Sequence, residues 1–315
     1  MASDVALYVG EALAKYGFPE GHPFSIDRQG AFLGEAKKQG LERKVCVRAP
    51  RGSTREELLR FHHDEHVDLV ETRSREGSGY LDYGDTPAFP GVFEAGSSIV
   101  GTAVEGLDCI MQGHIRMTFQ PVGGMHHSQR HCAAGFCVFN DIGVVIDTLR
   151  QKYGIQRIGY VDMDVHHGDG VFYSYESDPE LISVDIHEDG NYLYPGTGHA
   201  HEAGKDQAKG TKLNIPMQPG AGDREFAAAW ERAEDHLRRH KPEFLIMQAG
   251  ADGLAGDPLA DLRYTPAVHA QATRSLRRLA EDTAQGRMMV FGGGGYNLNN
   301  IAAAWTAVLR ELVAG

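Results

Sequence analysis

Short, continuous apolar runs recur along the chain at 115–119, 158–163, 181–186, 213–216, 244–248 and 288–291. Each is too short for a helix and is bounded by polar or turn-forming residues, so each predicts a buried strand. A stretch at 44–49 alternates apolar and polar side chains and predicts another. Longer stretches between them predict helices at 29–39, 91–111, 140–153, 223–240, 265–283 and 299–313. Ser53-Thr-Arg-Glu56 resembles a capping box and predicts a helix carrying Leu58, Leu59 and Phe61. Asp223 and Thr265 stand where caps are wanted, and basic residues before His240 suit a helix C-terminus. Strands that alternate with helices, and are apolar throughout, predict an α/β fold. Its sheet is mostly parallel and covered on both faces. No linker, repeat or low-complexity segment interrupts the pattern, so one domain over 1–315 is expected.

The remaining stretches read as loops. The segment 17–23 is rich in turn formers, and 71–90 has no periodicity. Long loops in compact domains are often functional. Asp82 and Asp85, beside Tyr80 and Tyr83, read either as plain surface or as a substrate rim. His62 and His66 are four apart and could share a metal, but a solvated helix face is the better reading.

The polar breaks after the strands carry the chemistry. The segment 162–169 holds Asp162, Asp164, His166, His167 and Asp169. Burying such groups is costly unless they are paired or bind a metal. In an extended chain Asp162, Asp164 and His166 face one side. A hydrogen-bonded polar loop is the plainer reading; metal binding is favoured by the ligand types. Three further strand ends are unusual: His126-His127 after 115–119, Asp252 after 244–248, and Gly292–Tyr296 after 288–291. Ligands bind at strand carboxyl ends in open parallel sheets. Asp164, His166 and Asp252 can supply three ligands and leave a fourth position open. Gly168 and Leu254 stand where a two-metal pattern wants acids, so one metal is expected. Asp162 and Asp169 are free to orient the imidazoles. The glycine run lacks phosphate-loop spacing; holding the Tyr296 hydroxyl against an oxyanion is the better reading.

Composition narrows the rest. The chain has 315 residues, 42% hydrophobic and 23% charged, with a net charge of −12. That balance, with no basic patch, argues against nucleic acid. No apolar run approaches a membrane span. The N-terminus shows no secretory pattern, and Cys46, Cys109, Cys132 and Cys137 form no CxxC pair. A cytoplasmic protein with free thiols is expected. Oligomeric state is open, a homo-oligomer included.

These motifs, in this order, resemble the zinc-dependent histone deacetylase family, which includes bacterial acetoin-utilisation and deacetylase-like proteins. Gly-Gly-Met-His-His127, Gly135-Phe-Cys137, Val161-Asp-x-Asp-x-His-His-Gly-Asp-Gly170, Pro195-Gly-Thr-Gly198, Gly250-Ala-Asp252 and Gly292-Gly-Gly-Gly-Tyr296 carry the likeness, nearest to the class I-like branch. The resemblance implies the arginase–deacetylase fold, with a mostly parallel eight-stranded sheet. It implies hydrolysis of N-ε-acyl-lysine by a metal-activated water, giving lysine and acetate. Asp164, His166 and Asp252 would hold Zn2+, with Fe2+ an alternative. His127 would be the base and then the acid, His126 an electrostatic partner, and Asp162 and Asp169 their orienting acids. Tyr296 would donate to the oxyanion. Gly135, Phe136, Tyr194 and Leu259 would line the channel, and Asp85 would hold substrate amides. Arg28 would line an inner acetate channel. Asp162, Asp164, His166, Asp185 and Ile186 match a K+ site, although Asp185 stands where serine is common and Tyr194 where phenylalanine is.

Two rivals follow. An acetylpolyamine deacetylase places an acid at the pocket gate; here the position seven beyond Asp252 is Leu259, which favours acyl-lysine. A catalytically silent acyl-lysine-binding protein is the second, and the filled catalytic positions argue against it.

Overall fold

The structure is a computed structural model and describes residues 4–19 and 21–314. Met1 to Ser3, where the absence of a secretory pattern was read, and Glu20 of the first loop lie outside the described residues.

Eight strands form one sheet: β1 Val5–Tyr8, β2 Cys46–Arg48, β3 Met117–Gln120, β4 Ile158–Asp162, β5 Leu181–Glu188, β6 Lys212–Met217, β7 Phe244–Gln248 and β8 Met288–Phe291. Their order is β2-β1-β3-β8-β7-β4-β5-β6. Every pairing is parallel, so the sheet is wholly and not just mostly parallel. Among the described residues ten α-helices accompany it: α1 Glu11–Ala14, α2 Arg28–Lys38, α3 Arg55–Leu58, α4 Asp64–Glu76, α5 Val92–Met111, α6 Asp141–Tyr153, α7 Asp169–Ser174, α8 Asp223–His240, α9 Pro266–Thr283 and α10 Leu298–Leu312.

The strands read as unbroken apolar runs because both sheet faces are buried. Met288 and Val290 enter one core with α2, α8, α9 and α10. Met289 and Phe291, their neighbours in sequence, enter the other with α4, α5 and α6. The period of two thus sorts one apolar run between two cores.

Several local expectations change. β1 lies in a stretch that gave no clear sequence signal. The capping box is Thr54 with Glu57, one residue later than read: the Thr54 hydroxyl accepts from the Glu57 amide at 3.2 Å, and Glu57 answers at 2.9 Å. Tandem glutamates at 56 and 57 made either register possible. α3 then stops at Leu58, so Leu59 and Phe61 lie in the turn before α4. His62 and His66 are therefore not on one helix face, and they are buried rather than solvated. His62 Nε2 accepts from the Asn140 amide at 2.9 Å, and His66 Nε2 bonds the Val138 carbonyl at 2.9 Å. Gly222, not Asp223, is the N-cap of α8. The loop expected from 71 begins only after Glu76. The four cysteines are free. Among the described residues no helix is long and apolar enough to cross a membrane.

Candidate active site

β3, β8, β7 and β4 are adjacent in the sheet, and these are the four strands whose carboxyl ends carry the unusual residues. Asp164 and His166 follow β4, and Asp252 follows β7. One ligand-type atom from each lies within 4.8 Å of the others, and all three residues are buried. His166 turns Nδ1 toward Asp164 Oδ1 at 3.1 Å and Asp252 Oδ2 at 3.4 Å. Gln248 Nε2 and the Gly294 amide hold Asp164 Oδ2 at 2.6 and 2.7 Å. The Val165 amide holds Asp252 Oδ1 at 3.0 Å, while Asp252 Oδ2 is buried without a hydrogen bond. Burial and the charge of Asp164 push the Asp252 carboxyl up to about 7. Two buried carboxylates, one with an unpartnered oxygen, and an imidazole nitrogen turned toward both form a donor set that fits a divalent cation.

The glycine run after β8 exists to let these groups approach. A Cβ on Gly294 would stand 2.2 Å from Asp252 Oδ2, and one on Gly292 would stand 1.9 Å from the Pro121 carbonyl oxygen. No side chain is tolerated there.

The two histidines after β3 are buried beside this cluster, with ring centroids 4.0 Å apart. His126 Nδ1 bonds Asp162 Oδ2 at 2.7 Å, and His127 Nδ1 bonds Asp169 Oδ1 at 2.6 Å. Each acid orients its imidazole through Nδ1, and the Nε2 of His126 faces Asp164 Oδ1 at 3.8 Å. The environments then drive the pair apart. Burial opposes charge on His126, but Asp162 and Asp164 outweigh it and raise its pKa to about 10. Burial and the charge of His126 lower His127 to about 4. A neutral imidazole suited to accept a proton sits beside a charged one.

A channel of about 240 Å³ leads to this point. Asp85, His127, Gly135, Phe136, His166, Leu193, Tyr194, Leu259 and Tyr296 line it. Every pocket residue expected from the sequence is thus brought together, and Leu193 is added. Tyr194 stands edge-on to His127 and His166, with centroids at 5.1 and 6.3 Å. Gly135 has φ 53, and a Cβ there would meet His127 Cδ2 at 2.4 Å. Phe136 holds the left-handed backbone at φ 66. The Thr86 hydroxyl accepts from its amide at 3.1 Å, and the Tyr16 hydroxyl donates to its carbonyl at 2.7 Å. The strained backbone is thus held in place by its surroundings. Arg28 is buried and donates to the Gly293 and Gly295 carbonyls, stacked 4.0 Å from the Phe24 ring centroid. The small cavity beyond the histidines is walled by Phe24, Gly124, Met125, Cys137 and Tyr296 among others, rather than by Arg28. Asp185 pairs with His187 Nδ1 at 2.6 Å and accepts from the Gly168 amide at 2.9 Å. Ile186 is buried beside it on β5.

Sequence reasoning missed the residues that hold the histidine loop. Asp141 is fully buried and accepts from the Gly124 and Met125 amides, both at 2.8 Å. Asn140 Nδ2 donates to the Ser128 carbonyl at 2.8 Å while its Oδ1 caps α6. The two residues clasp the segment on either side of His126-His127. The Tyr160 hydroxyl donates to Asp162 Oδ2 and shares it with His126.

Ligand-type carboxylates, oriented imidazoles and a phenol thus gather at the foot of a channel on the carboxyl edge of a parallel sheet, where α/β enzymes bind their ligands. The histone deacetylase domain matches residues 22–312, and the chain belongs to the histone deacetylase family. It is 33% identical to acetoin utilization protein AcuC of Bacillus subtilis (strain 168), covering 94% of this chain and 79% of that one. It is 32% identical to AcuC of Staphylococcus xylosus, over 98% and 82%. The crystal structure of the HDA15 HD domain superposes with a TM-score of 0.91 at 30% identity, covering 99% of this chain and 88% of that one.

Proposed function

We propose that the chain hydrolyses N-ε-acyl-lysine in a peptide or protein to lysine and a short carboxylate, acetate first among them. The observation that carries this reading is that His127, held by Asp169, shares the foot of a channel with Tyr296 and lies beside the Asp164–His166–Asp252 cluster. An amide carbonyl is hard to attack and needs a base, an oxyanion donor and a Lewis acid together. Asp164, His166 and Asp252 would hold Zn2+, and Fe2+ suits the same donors. Once bound, such an ion polarises the carbonyl and makes water more acidic. His127 Nε2 takes the proton of the attacking water and later delivers it to the leaving amine. Charged His126 stabilises negative charge, and the Tyr296 hydroxyl donates to the carbonyl oxygen as it becomes anionic. Phe136 and Tyr194 clasp the alkyl stem. A second, monovalent ion, K+, is proposed at Asp162, Asp164, His166, Asp185 and Ile186. There Asp185 is already hydrogen-bonded to His187 Nδ1 at 2.6 Å.

Asp85 would accept hydrogen bonds from the substrate's backbone amides. Burial and the adjoining Asp82 raise its pKa to about 7. Below that pH it is protonated and a poorer acceptor. KM for an acetyl-lysine peptide is therefore expected to fall as pH rises through about 7. Asp82→Asn, by removing a negative neighbour, should move that fall to lower pH. A KM flat in pH for both proteins removes Asp85 from binding.

Paired turnover of an acetyl-lysine peptide and an N-acetylpolyamine tests the substrate class. Leu259 at the channel wall predicts preference for the peptide, because a second substrate charge against leucine loses its hydration without compensation. Leu259→Glu should shift the ratio several-fold toward the polyamine. A native preference for the polyamine would overturn the acyl-lysine reading.

A further inference from the structure

Asp257 is a buried acid whose two carboxylate oxygens serve different loops. Oδ1 accepts from the Leu259 amide at 3.0 Å, and Oδ2 from the Tyr296 amide at 2.8 Å. Its partners are main-chain amides and not a basic side chain. Leu259 belongs to the channel wall, and Tyr296 carries the proposed oxyanion donor.

Tyr296 needs an anchor from outside its own loop. The four residues before it are glycines, with Gly293 at φ 69 and Gly295 at φ 126. Such a segment has little conformational preference of its own. The Tyr296 ring meets Phe24 and Phe136 only edge-on, at centroid distances of 6.3 and 6.0 Å. Those contacts limit the ring's tilt, whereas the bond from Asp257 fixes the backbone from which it projects. Other bonds also hold this loop, from Asn297 to Gly256, from Asn300 to Leu254 and Ala255, from Ala251 to Gly294, and from Arg28 to the Gly293 and Gly295 carbonyls, but none of them reaches the Leu259 or Tyr296 amide.

We infer that Asp257 is a positioning residue that couples the channel wall to the oxyanion donor, one carboxylate holding the backbone amides of both Leu259 and Tyr296. The inference rests on the acyl-hydrolase reading above. Its consequence is that a disturbance at Leu259 is felt at Tyr296, so losing the shared carboxylate costs turnover more than binding. Asp257→Asn keeps one acceptor and sets an amide donor against an N–H donor, so one anchor fails.

The test is a double-mutant cycle on an acetyl-lysine peptide with metal content measured for each protein. Asp257→Asn is expected to lower kcat on the acetyl peptide about ten- to a hundredfold, the scale of a small misplacement. KM and metal content should stay within about twofold. In a Tyr296→Phe background Asp257→Asn should cost no more than about twofold, since the group it positions is gone. Losses that simply multiply would overturn the inference. So would lower thermal stability with unchanged kcat per bound metal, the signature of a purely structural acid. A second readout needs no substrate: 3-fluorotyrosine at position 296 should show a shifted or broadened fluorine line in Asp257→Asn. An unchanged line overturns the inference even if acyl-lysine is the wrong substrate. Absence of turnover by native protein overturns the substrate reading alone. If Asp257→Asn does not accumulate as folded protein, Asp257→Ser, which also keeps one acceptor, goes through the same measurements.

Discussion

Asp252→Ala is expected to abolish metal binding and turnover together. Asp252 contributes one of two buried carboxylates, and its Oδ2 has no hydrogen bond to replace a bound cation. Alanine leaves Asp164 and His166 as a pair already bonded to each other at 3.1 Å, too few donors for a tight site. Loss of the metal removes the Lewis acid, so activity should fall by at least about a thousandfold, the upper scale for one electrostatic stabiliser. The fold should survive, because the Asp252 side chain is held by a single backbone amide, that of Val165, and otherwise faces His166 within the site. Elemental analysis and turnover on the same preparation check this. Full activity in a folded, metal-free Asp252→Ala protein would remove the metal from the chemistry.

Tyr296→Phe separates the second large contribution from the first. The ring packs against Phe24 and Phe136 through its edges, and phenylalanine preserves those contacts. Only the hydroxyl is lost. Metal content should match native protein, KM should change little, and kcat should drop by about a hundred- to a thousandfold, as for removal of one oxyanion donor. A kcat within about threefold of native would leave the oxyanion to another donor, with charged His126 the next candidate.

The site was legible in sequence to the extent that it sits on strand ends. An apolar run that stops abruptly at Asp162-Met-Asp164 or at Ala249-Gly-Ala-Asp252 announces both a strand and an expensive polar group after it. What the sequence could not show is that β3, β8, β7 and β4 lie side by side. Hydrogen bonds between parallel strands leave no mark on either partner's sequence, so the clustering was an argument from shared position. Asp141 was invisible for a related reason. An acid at the start of a helix reads as a complement to the helix dipole, and its bonds to Gly124 and Met125 join residues far apart in the chain. His62 and His66 misled because spacing of four implies one helix face only if the helix is unbroken, and the turn between α3 and α4 breaks it. The capping box slipped by one residue because Glu56 and Glu57 are adjacent and only backbone geometry chooses between them.

Asp185 illustrates a different limit. The sequence marks it as a departure from serine; the structure gives it His187 and the Gly168 amide as partners. A carboxylate already satisfied by an imidazole is a different ligand from a hydroxyl, so its contribution to a cation site depends on charge balance that sequence alone does not contain.

The measurement that bears most directly on the account is turnover of an acetyl-lysine peptide by native protein of known metal content, with and without a chelator, and again after Zn2+ or Fe2+ is restored. Turnover that stops with the chelator and returns with the ion is the predicted result. Hydrolysis that continues undiminished in protein stripped of metal would contradict it.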